Sequence, residues 1–333
     1  MIQRWKRIVA GLVTVLIFAM TGCGPEVKEG QKGKVDVRIA YFPNITHTQA
    51  LVMKNQGLLE EKWKDTCNVK WLSFNAGPAE IEAIFAGEID IGYIGPVPAL
   101  SANVKSNGEV KILSNATNAG AVFLRRKDSG IQSIQDLAGK KVAVPQLGNT
   151  QHLCLLGLLH ANGLQTRDKG GSVNVSTSSN ADILNLIDSA RIDAAFVPEP
   201  WGTTIEAKGN ADVFLDYDKV FWEGNYPSAL VVVSEDFLDG HPDIVKSFLQ
   251  AHEEATQIIH ENKDRALDIV NKEIQQTTGK AIDTGILKKA FTRIKVDTRL
   301  NRDAIMEFAK LSKEEGFIGK VPEVEDVFAD TIR

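Results

Sequence analysis

The chain has 333 residues, of which 43% are hydrophobic and 24% charged, with a formal net charge of −5 and three cysteines. A mildly acidic chain argues against nucleic acid as a partner. The cysteine spacing offers no zinc site, and no catalytic triad, metal motif or phosphate loop is present, so neither a metal nor a cofactor is expected.

In chain order, Arg4, Lys6 and Arg7 precede an uncharged, mostly apolar run from Ile8 to Met20, followed by Thr21-Gly22-Cys23. This is the order of a signal peptide spanning residues 1–22. The run of about 13 residues is short against the roughly 20 needed to cross a bilayer as a helix, so a cleaved signal is expected rather than a permanent span. Small residues before Cys23 resemble a lipobox, which makes Cys23 the expected lipidated residue and the membrane the expected address. Met20 stands where leucine is usual. Removing the signal takes the formal charge to −8. Residues 23–34 lack a large apolar residue apart from Val27 and read as a flexible linker. Some 300 residues remain, enough for two lobes with their own cores. Cys67 and Cys154 fall in different lobes and are expected to be buried free thiols.

The body carries an internal repeat. Residues 86–98, AGEIDIGYIGPVP, align without gaps to 189–201 at an offset of 103, pairing Ile89-Asp90 with Ile192-Asp193 and Tyr93 with Phe196. Upstream, Ile81 and Ile84 pair with Leu184 and Ile187, at helical spacing. Each unit reads as helix, turn, buried strand and Pro/Gly-rich loop. A second pair lies earlier: Val35–Tyr41 is an alternating strand running into Asn44, Thr46 and His47, and Lys141–Val144 is a strand running into Gly148, Asn149, Thr150 and His152. Asn44 matches Asn149, and His47 matches His152, at an offset of 105. Helical patterns follow both loops. Such strand-loop-helix units present unpaired backbone N–H groups and the positive end of a helix dipole, which suits an anion.

Strands are also expected at Val110–Asn115, Ala121–Arg125 and Ala229–Val233, with the chain almost entirely helical from His241 onward and Pro242 at a helix start. The expected division is 35–121 plus 226–333 for one lobe and 122–225 for the other. The fold class is α/β, with two mixed sheets flanked by helices and a cleft between lobes. Outside the two loops the histidines read as helical and solvated.

Taken in order, YFPNITHTQAL (41–51), the stretch 74–100, PQLGNTQH (145–152) and FVPEPW (196–201) resemble the substrate-binding lipoproteins of ABC importers for nitrate, sulfonates, taurine and bicarbonate. The resemblance implies a two-lobed periplasmic-binding-protein-like fold of type II, closure around a small oxyanion, and handover from a membrane-anchored monomer to a permease with a cytoplasmic ATPase. It implies ligand contacts from Asn44, Thr46 and His47. The residues themselves add Gly95 and Pro96, where the loop approaches closely and is held rigid, and Gly148, Asn149, Thr150 and His152 in the second half. Trp201 and Tyr226 are candidate apolar walls. Glu199 aligns with Pro96: pointing into the cleft it would favour a zwitterion such as taurine, and paired elsewhere it would not. No catalytic residue is expected. A related enzyme of pyrimidine precursor synthesis would need converging reactive groups, and Cys154 and His152 point in different directions near a helix start.

Overall fold

The computed structural model describes residues 33–329, so the signal segment, Cys23 and the linker up to residue 32 lie outside the described residues. The first half runs β1 (Val35–Tyr41), α1 (Thr48–Gln56), α2 (Leu58–Lys62), β2 (Cys67–Ser73), α3 (Gly77–Phe85), β3 (Ile91–Ile94) and α4 (Pro96–Lys105), then β4 (Val110–Ala119). After β5 (Ala121–Arg126) come β6 (Lys141–Val144), α5 (Thr150–Ala161), β7 (Asn174–Thr177), α6 (Asn180–Asp188), β8 (Ala194–Pro198), α7 (Trp201–Lys208), β9 (Ala211–Leu215) and α8 (Tyr217–Val220). The chain then returns through β10 (Pro227–Ser234), α9 (Glu235–Gly240), α10 (Pro242–Glu261), α11 (Lys263–Thr278), α12 (Thr284–Phe291), β11 (Ile294–Val296), α13 (Arg302–Glu314) and α14 (Val324–Val327).

Two sheets form, in the orders β11-β4-β10-β3-β1-β2 and β7-β6-β8-β5-β9. In each, a parallel trio (β2-β1-β3 and β7-β6-β8) is extended by an antiparallel strand, β10 beside β3 and β5 beside β8. The repeat holds at the level of register: Ile39 pairs with Ile91, and Val142 with Ala194, so both strands shift by the same 103 residues. α3 and α6 begin at Gly77 and Asn180, again 103 apart.

Period-two alternation sends successive side chains of β1 to opposite faces. Val37, Ile39 and Tyr41 join a core with Val245 and Phe248 of α10, whereas Ala40 joins a second core on the other face. That second core is continuous across both sheets: Val97 and Leu100 of α4 share it with Val142, Leu153 and Phe196, and with Ile305 and Phe308 of α13. Cys67 and Cys154 are buried and free.

Two expectations for the C-terminal stretch need correction. β11 interrupts the helices, pairing antiparallel with β4. His252 is buried rather than solvated, because it extends the apolar stripe Val245, Phe248, Ala255, Ile259 of α10. Its Nδ1 lies 2.7 Å from Tyr93 Oη and its Nε2 2.9 Å from the carbonyl of Asn115.

Candidate functional site

A cleft opens where the carboxyl ends of all six parallel strands converge, the position at which open α/β sheets bind ligands. Residues after β1 (Phe42, Asn44, Thr46, His47), after β2 (Asn75, Ala76, Gly77) and after β3 (Gly95, Pro98) form one wall. The facing wall holds Pro145, Asn149, Thr150 and Gln151 after β6, Asn180 after β7 and Pro198, the last residue of β8. Ser228, at the start of antiparallel β10, completes the lining. Among the described residues this wall carries no Asp, Glu, Lys or Arg. α3, α4, α5 and α6 begin at or beside wall residues Gly77, Gly95, Thr150 and Asn180, so four helix N-termini lie at the cleft.

The two polar loops are built alike. Asn44 Oδ1 accepts from the Thr46 backbone N–H at 3.1 Å, and Asn149 Oδ1 accepts from the His152 N–H at 2.8 Å. Capping and wall membership therefore coexist, since the cap uses the amide oxygen and leaves Nδ2. Thr46 Oγ1 also donates to Asn44 Oδ1, and Thr117 Oγ1 donates to the Thr46 carbonyl at 2.7 Å. His47 Nδ1 accepts from the Phe42 N–H at 3.2 Å, which leaves the proton of the neutral ring on Nε2. Burial lowers the His47 pKa to about 3, so the ring is a neutral donor and not a cation.

Gly95 and Thr150 meet across the cleft. A Cβ on Gly95 would come within 2.5 Å of Thr150 Oγ1, so with any other residue here the Thr150 hydroxyl or the walls would have to shift. Thr150 Oγ1 is itself buried without a hydrogen-bond partner, as is Asn180 Oδ1. Such groups are costly to leave unpaired, and here both face a cleft that a ligand would fill.

Of the residues singled out in the sequence, Asn44, Thr46, His47, Gly95, Asn149 and Thr150 are brought together. Six others stand off the lining. Pro96 is the buried first residue of α4. Gly148 adopts φ +82° and supports its loop, donating its N–H to His152 Nδ1 at 3.1 Å. His152, whose pKa burial lowers to about 4, lies with its ring 5.2 Å from that of Phe317. Trp201 starts α7 and packs on the apolar core under the second sheet. Tyr226 is buried, its hydroxyl 3.4 Å from the Ala121 N–H and its ring against Phe221 and Phe308. Glu199 is fully buried and bonded to Arg293 Nη1 at 2.9 Å, so its carboxylate is turned from the cleft.

Asn75, Gln151, Asn180 and Ser228 were not anticipated. Asn180 was within reach, because the repeat offset pairs it with Gly77. Ser228 had no such signal, since it comes from a strand running against the trio.

The NMT1-like family matches residues 30–271, more than half of the sequence. The chain belongs to the NMT1-like family. Among relatives of this family member, a Bacillus subtilis protein named for binding aliphatic sulfonates is 24% identical over 262 residues, covering 78% of this chain and 76% of that protein. The taurine-binding periplasmic protein of Escherichia coli is 29% identical over 197 residues, 59% of each chain. The alkanesulfonate-binding protein SsuA of Xanthomonas axonopodis pv. citri, solved with MOPS bound, superposes with a TM-score of 0.72 at 20% identity, over 88% of this chain and 98% of that one. The fold is therefore the two-sheet α/β fold of periplasmic binding proteins.

Proposed function

We propose that this protein is the extracytoplasmic solute-binding component of an ABC importer, capturing a small oxyanion between lobes 35–121 plus 226–333 and 122–225 without catalysing a reaction. The observation that carries this is the cleft wall: hydroxyls, amides, a neutral histidine and helix starts, with no charged side chain. Neutral donors at helix N-termini stabilise a dehydrated anion without demanding a particular counter-charge. Relatives named for sulfonates and taurine support the ligand class. Between those two, the burial of Glu199 against Arg293 favours a plain alkanesulfonate, because the wall offers no carboxylate to an ammonium group. On this reading Cys23 carries the lipid anchor, each acyl methylene contributing about 0.8 kcal/mol at the membrane. A monomer so tethered meets its permease at high local concentration.

Ethanesulfonate is expected to raise the melting temperature and to bind calorimetrically with 1:1 stoichiometry. Taurine should bind more weakly and phosphate not at all. Binding of nitrate alone in the same screen would overturn the sulfonate assignment, and turnover of any bound ligand would overturn the non-catalytic reading.

A further inference from the structure

We infer that Arg293 is a positioning residue that sets the angle between the two lobes, and that Glu199 serves this grip instead of touching ligand. Arg293 lies between α12 and β11, on the segment that closes the edge of the first sheet. Its guanidinium is buried, and every partner belongs to the second half. Nη1 donates to Glu199 Oε1 at 2.9 Å and to Thr203 Oγ1 at 2.8 Å, Nη2 to Glu206 at 3.2 Å, and Nε lies 2.9 Å from Asp216 Oδ1. Lys289 of α12 reaches Glu206 at 2.9 Å, so two cations of one half face three carboxylates of the other.

This fork joins the parts that must shift if the lobes turn. Glu199 directly follows Pro198 of the cleft wall, accepts the Thr203 N–H at 2.9 Å, and donates its own N–H to Gly120 at the crossing from β4 to β5 at 2.7 Å. Arginine suits the role because its five donors are fixed in one plane. A buried ion pair adds little stability relative to an apolar pair of similar volume, so stability alone gives no reason for this cluster. In the repeat Glu199 occupies the place of Pro96, so the two halves have diverged at this position: one carries a rigid helix start, the other a handle for the opposite lobe.

The test is hydrogen exchange by mass spectrometry on the full chain without ligand, comparing wild type with Glu199→Met/Arg293→Met. The expected result is exchange at least tenfold faster in both cleft loops, 75–78 and 145–150, with β1 and β6 unchanged and the melting temperature nearly so. Unchanged cleft loops, or faster exchange confined to 199–216 and 284–296, would overturn the proposal. Should the double variant fail to fold, Arg293→Lys retains the charge without the fork and is held to the same outcomes. Because no ligand is present, the result stands apart from the oxyanion assignment.

Discussion

At the scale of single residues, Thr150 is the clearest functional candidate, since its hydroxyl is buried and spends no hydrogen bond on the fold. Thr150→Ala is therefore expected to leave the melting temperature of the free protein almost unchanged. It should weaken ethanesulfonate binding by about tenfold, the ~1.4 kcal/mol of one hydrogen bond to an anion. Calorimetry reads the affinity and differential scanning reads the stability; a fall in stability alone would assign Thr150 to the scaffold. Glu199 shows the opposite case. Its sequence neighbours and its alignment with Pro96 place it at a strand end beside the cleft, but its partner lies 94 residues away, between α12 and β11 and outside the repeat. Nothing local to Glu199 could indicate which way its carboxylate turns. Burial pushes that carboxyl's pKa upward, and Arg293 and the Thr203 N–H pull it back down.

At the scale of elements, the strand-loop-helix unit explains why so much of the site was legible. Asparagine three residues before a histidine, after a strand and ahead of an apolar run, is a capping signal as well as a binding signal, and both copies use it as a cap. Wall membership then follows from the parallel trio, which brings every loop after a strand to the same end. Gly95 tests this convergence. Its φ of −68° is open to any residue, so Gly95→Ala strains no backbone; the added methyl would lie 2.5 Å from Thr150 Oγ1 on the opposite wall and at an ordinary 3.7 Å from Pro98 Cδ on its own. Overpacking of this kind costs about 1 to 3 kcal/mol. The cost is expected to appear as weaker ligand affinity, with little change in the melting temperature if the walls can separate. A melting temperature that falls with affinity intact would show instead that the two walls are locked.

At the scale of the whole molecule, the second core runs through both sheets and α13, so separate unfolding of the halves would expose Phe196 and Phe308 together. One cooperative thermal transition is expected, with a midpoint that falls between about pH 6 and about pH 5. Burial holds His47 near 3 and His152 and His252 near 4, whereas unfolded histidine titrates near 6.5. The unfolded chain thus binds more protons on acidification, and stability drops. Glu80 and Glu199, whose carboxyls burial raises, act in the opposite sense, and the histidines prevail below about pH 6, where all three are mostly charged in the unfolded chain. A pH series by scanning calorimetry checks both points, and the reverse slope would place the histidines in contact with solvent.

The repeat, the ends of β1, β3, β6 and β8, and a set of twelve candidates that contains the six residues meeting in the cleft were readable from the chain alone, because they follow from local periodicity, capping chemistry or a fixed offset. The orientation of Glu199, the burial of His252 and Tyr226, and the joining of the halves through α13 and Arg293 emerge only from packing. Those depend on contacts between segments far apart in the chain, and no spacing within the sequence encodes which distant partner a buried polar group will find.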